Sequence, residues 1–85
     1  MMGKVKNLLK EITDPMSGYS ILEVGIIEKI ITKGKNIVVR VNLPKYSHAL
    51  KDYIVGEIKN KLIALPGIHN VMVQVSTKAL KYPFV

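Results

Sequence analysis

Residues 47–65 constrain this chain more than any other stretch. Leu50, Ile54, Ile58, Leu62 and Leu65 recur at steps of three or four, with Tyr53 beside them. That spacing makes the apolar stripe of an amphipathic helix. Ser47 is placed to cap its first turn by accepting a backbone N–H bond. Asp52 falls near the positive N-terminal end, and Lys59 and Lys61 near the negative end, as the helix dipole prefers. Pro66-Gly67 stops the helix. Valine-rich stretches stand on both sides, so the helix is expected to be the crossover between two strands.

The remaining chain supplies the other elements. Val5, Leu8, Leu9 and Ile12 fall at i, i+3, i+4 and i+7 and predict a short helix over 3–12. Asp14-Pro15 ends it, because the residue before a proline is pushed out of the helical region. Asp14–Ser20 reads as a turn-rich loop, with Asp14 suited to bond the following amides. The first strand lies within Ile21–Thr32, from Gly25 or Ile26 onwards. Its alternation is imperfect: Ile26 and Ile30 share a parity with Glu28, and Ile27 and Ile31 with Lys29. A strand that is central, or covered on both sides, is expected from that pattern. Lys33-Gly34-Lys35-Asn36 predicts a hairpin turn with Gly34 at positive φ. Strand two, Asn36–Leu43, alternates cleanly, with Ile37, Val39, Val41 and Leu43 on one face. Val71, Val73 and Val75 mark strand three.

The resulting class is α+β: a two-layer α-β-β-α-β sandwich. A three-stranded mixed sheet carries two helices on one face. Its other face, with Val38, Arg40, Met72 and Gln74, is mixed and is read as solvated or as a subunit contact. Eighty-five residues make a single domain over 1–85, with a core at about 5–76 and a tail at 77–85 that is expected either to dock Phe84 on the body or to fray.

The chain contains no cysteine. Disulfides, thiolate metal sites and cysteine nucleophiles are therefore excluded, and a cytoplasmic location is the default. The opening Met-Met-Gly-Lys-Val-Lys-Asn has no apolar block behind it, so no signal peptide is expected. No run approaches the ~20 apolar residues of a spanning helix, and no membrane partner is expected. Net charge is +7, from twelve lysines and one arginine against six acids. That attracts polyanions without specificity. With one Arg, one Phe and no Trp, the chain lacks the usual means of reading bases. A solvated basic surface, with weak non-specific nucleic-acid affinity, is the expectation.

Catalytic chemistry is not evident. The helix carboxylates Asp52 and Glu57 have ordinary partners in neighbouring lysines. His48 and His69 stand apart, and a metal site needs three or four ligands. His48 is the candidate metal ligand, and no catalytic or cofactor-binding residue is assigned. Gly34-Lys35 lacks the rest of a phosphate loop. The chain does not read as an enzyme. The informative stretch is Asp14–Gly25, in which Asp14 and Ser20 can pin a loop. Gly25 marks a special dihedral or a close backbone approach.

That stretch carries a resemblance. Asp14-Pro15, followed by Ser20-Ile21-Leu22-Glu23-Val24-Gly25-Ile26-Ile27, resembles the Asp-Pro-Glu … Ser-Ile-Val-Asp-Leu-Gly-Leu-Val signature of the metal–sulfur cluster biosynthesis family. These are the PaaD-like or SufT-like iron–sulfur assembly domains. Val39-Arg40-Val41-Asn42-Leu43, Leu65-Pro66-Gly67-Ile68 and Asn70–Val75 look like its second strand, its Leu-Pro-Gly-Val turn and its last strand. The resemblance covers about residues 5–76 and implies the same α-β-β-α-β sandwich. Two positions depart from it. The family's loop before the long helix reads Thr-x-Pro-Gly-Cys-Pro, whereas this chain has Pro44-Lys45-Tyr46-Ser47-His48-Ala49, with His48 at the cysteine. Met16 stands at the family's acid.

The resemblance implies an accessory or scaffold protein of iron–sulfur cluster assembly, acting through protein partners. Asp14, Pro15, Ser20, Gly25 and His48 are its motif positions. Imidazole is a harder, weaker ligand than thiolate in a cluster site, so no cofactor is expected in this chain. An iron–sulfur cluster would be carried only if a partner supplied ligands. Two other readings stand beside this one. One is a basic nucleic-acid-binding module; the other is a small homo-oligomer, a structural domain that has lost metal function.

Overall fold

The computed structural model describes residues 2–44 and 46–76. Lys45 and the tail with Phe84 lie outside them. The order is α1 (Met2–Lys10), β1 (Ile27–Lys33), β2 (Asn36–Asn42), α2 (His48–Ile63) and β3 (Asn70–Ser76). The sheet runs β1-β2-β3, with β1 antiparallel to β2 and β3 parallel to it. This is the expected α+β architecture. Ile37, Val39 and Val41 of β2 are buried with Val5 and Leu9 of α1 and Ile54, Ile58 and Leu62 of α2. One face of the sheet thus holds the core.

Several expectations shift. The first helix ends at Lys10, and Ile12 reaches the core from the chain beyond it. The second ends at Ile63, so Leu65 packs from the turn. Its first turn holds no acid, so Asp52 sits too far along to meet the dipole end; Lys61 does lie in the last turn. Tyr53 is exposed. Ser47 is the N-cap as expected, its Oγ accepting from the Leu50 N–H at 3.3 Å.

The larger correction concerns β1, which is an edge strand with one open face. Its register slips between Ile27, opposite Val41, and Lys29, opposite Arg40. Glu28 is the extra residue of a β-bulge. A bulge inverts the parity of everything beyond it. Ile27 and Ile30, of opposite parity in sequence, therefore both pack on the core, while Ile31 turns away. The imperfect alternation reflects this phase shift and not a second covering layer. Beyond β1, Lys33 pairs with Asn36 across Gly34-Lys35, with Gly34 at φ 61. At the same end, the His69 and Asn70 N–H groups donate to the Lys35 carbonyl, tying the start of β3 to the hairpin.

Candidate functional site

The segment between α1 and β1 is two small closed units. The first, 14–19, is closed by backbone bonds from Asp14 N–H to the Tyr19 carbonyl and from Gly18 N–H to the Asp14 carbonyl, each 2.7 Å. An isolated bridge joins Thr13 to Ser20. The second is a single helical turn. Ser20 caps it, with Oγ accepting from Leu22 N–H at 3.2 Å. Val24 N–H reaches the Ser20 carbonyl, and Ile26 N–H reaches the Ile21 carbonyl. That last bond, with Gly25 at φ 79, is the Schellman ending of a helix. Ile21 and Ile26, the pair such an ending brings together, are both buried. A Cβ on Gly25 would meet nothing within 4 Å. The requirement at Gly25 is thus the left-handed dihedral and not close approach. The spacing Ser20…Gly25 is that of one capped turn.

Asp14 is the buried polar residue of this region, at 3% exposure. Its Oδ1 accepts from Met16 N–H at 3.1 Å, the local bond expected of an aspartate turn, and its Oδ2 accepts from Ser17 Oγ at 2.8 Å. A third donor comes from far away in sequence: the Tyr46 hydroxyl donates to Oδ1. Burial alone would raise the Asp14 carboxyl. The bonds from Tyr46, Met16 and Ser17 outweigh it and hold the carboxyl below its ordinary value. The Tyr46 phenol is pushed up, first by burial and then by its bond to the Asp14 carboxylate and the charge beside it. The pair is a fixed anion–phenol contact.

Tyr46 reaches this position because β2 is continued by Leu43, whose N–H donates to the Ser76 carbonyl, and Tyr46 N–H folds back on the Leu43 carbonyl. Together these segments wall a groove of about 420 Å³ lined by Asp14, Ser17, Val24, Gly25, Ile26, Asn42, Pro44 and Tyr46. Asn42 Oδ1 is buried and without a hydrogen-bond partner among the described residues.

The structure therefore gathers Asp14 and Gly25 at one groove. Ser20 serves the capped turn, Pro15 is exposed, and His48 is an exposed residue at the start of α2, two positions beyond Tyr46. Met16, at the family's acid position, is exposed as well. Among the described residues no three His, Asp or Glu side chains gather as a metal site. Tyr46 and Asn42 were missed from sequence. Tyr46 stands in the loop aligned with the family's cysteine loop, but nothing local marks its hydroxyl as the partner of a carboxylate 32 residues earlier.

Comparison with solved structures finds a domain of unknown function, DUF59, from Bacillus anthracis. It superposes with a TM-score of 0.74 at 21% identity, covering 86% of this chain and 71% of the other. That likeness concerns the fold. No curated protein matches. A family model described as iron–sulfur cluster assembly protein matches residues 3–75, nearly the whole described fold, and the chain belongs to that family.

Proposed function

We propose that this protein is a non-enzymatic accessory domain of iron–sulfur cluster assembly that acts through protein–protein contacts in the cytoplasm. Family membership supplies the process. The observation that carries the finer reading is the groove at the family motif: its loop is built and locked by Asp14–Tyr46, yet the chain offers no thiolate to it. A cluster is soft, and thiolates are its customary ligands. A cysteine-free domain whose Asp14 loop is held by Tyr46 fits recognition of a partner that holds the cluster. The cluster is then the partner's cargo and not a resident group of this chain.

Anaerobic reconstitution with iron and sulfide, on wild type and His48→Ala, tests the reading when followed by visible absorbance and metal analysis. Neither protein is expected to take up a cluster alone. Uptake by wild type that disappears in His48→Ala would overturn the non-carrier role. Affinity capture from the native host is expected to bring down cluster-assembly or cluster-receiving proteins. Their absence would count against a partner-binding role.

A further inference from the structure

The sheet face away from the core carries a pattern that neither the fold nor the groove uses. Register places its side chains in rows across the three strands, since paired residues share a face. Ile31, Val38 and Met72 form one row. Ile31 is 39% exposed and Met72 49%. On one side lies the row Lys29, Arg40, Gln74; on the other, Lys33 with Asn36 and Asn70. The paired positions of these rows hold three cations and no carboxylate; Glu28 stands in the bulge outside the pairing. Neighbouring strands lie about 4.8 Å apart and same-face residues about 6.8 Å along a strand. The apolar row is thus roughly 10 Å wide, with cations about one row away on either side.

We infer that this face docks an acidic segment of a partner protein, aliphatic side chains lying on Ile31, Val38 and Met72 and carboxylates meeting Lys29, Arg40 and Lys33. Charge complementarity selects this occupant. A second copy of the chain would bring cations against cations. A nucleic acid would satisfy the lysines but leave the aliphatic row against bases with no aromatic side chain to stack on. Arg40 is poised for the exchange. Its Nε and Nη2 donate to Gln74 Oε1 at a long 3.4 Å, and a carboxylate would replace these by shorter, charge-assisted bonds. The inference rests on the reading that this protein acts through protein contacts, and it names a surface and a partner chemistry for them.

The test is an amide chemical-shift titration of the full chain with a synthetic peptide alternating leucine and glutamate. Two control peptides replace the leucines by serine or the glutamates by lysine. Shifts are expected to gather at Lys29, Ile31, Val38, Arg40 and Met72, for the leucine–glutamate peptide alone. Lys29→Glu with Arg40→Glu, both at exposed positions, is expected to weaken binding about tenfold or more, and Met72→Ser is expected to weaken it as well. Equal binding of the serine peptide would reduce the effect to attraction of any polyanion and overturn the inference. So would shifts gathered elsewhere, tighter binding of an RNA oligonucleotide to the same face, or a dimer that buries it. Failure here while affinity capture still recovers assembly partners would remove this surface and leave the broader reading in place.

Discussion

At the residue scale, Asp14 concentrates the consequences. Its carboxyl is held below the ordinary 3.8 in the folded state. A depressed folded value means that Asp14 contributes stability fully present above its unfolded value, and lost as pH falls through the folded one. Urea unfolding from about pH 6 to about pH 3 is therefore expected to show a steeper loss for wild type than for Asp14→Asn, whose side chain does not titrate. Comparing the two removes contributions common to both. At neutral pH, Asp14→Asn and Tyr46→Phe are each expected to cost about 1–3 kcal/mol, the range for breaking a buried charged hydrogen bond. Tyr46→Phe should also bring the acid transition of the loop to higher pH, because burial of Asp14 is then less opposed. Identical acid profiles for wild type and both variants would show that the contact contributes nothing to folding.

At the element scale, legibility followed sequence distance. The stripe of α2, its Ser47 cap and the alternation of β2 were readable because each is a relation between residues a few positions apart. Asp14's bond to Met16 N–H was readable for the same reason, while its bond to Tyr46 depends on the tertiary fold. The β1 bulge was hidden differently: one unpaired residue, Glu28, reverses the period that strand reading relies on. The corrected phase makes a sharp comparison. Ile30→Ala removes a side chain packed on the core and should cost about 1–3 kcal/mol. Ile31→Ala, on the open face, should cost under about 0.5 kcal/mol. Chemical denaturation decides it, and equal losses would mean that both faces of β1 are covered after all.

At the scale of the whole molecule, charge and connectivity dominate. Against a net charge of +7, the described residues form a single exposed ion pair, Lys61 to Glu11 at 3.2 Å, which joins α2 to the residue just after α1 and contributes little. Self-repulsion should therefore be visible. Raising NaCl from about 0.05 M to about 0.5 M shortens screening from about 14 Å to about 4 Å, and the urea midpoint is expected to rise; a fall would show that attractions outweigh repulsions. Connectivity has a kinetic side. Strand β2 is bonded along one edge to its hairpin neighbour and along the other to a strand whose residues arrive 34 positions later, as from Arg40 to Gln74. On a ribosome, the Ile37–Val41 run emerges with that second edge bare and must stay so until β3 has been made. Nascent chains halted before β3 should hence be the form that sticks to itself or recruits a chaperone.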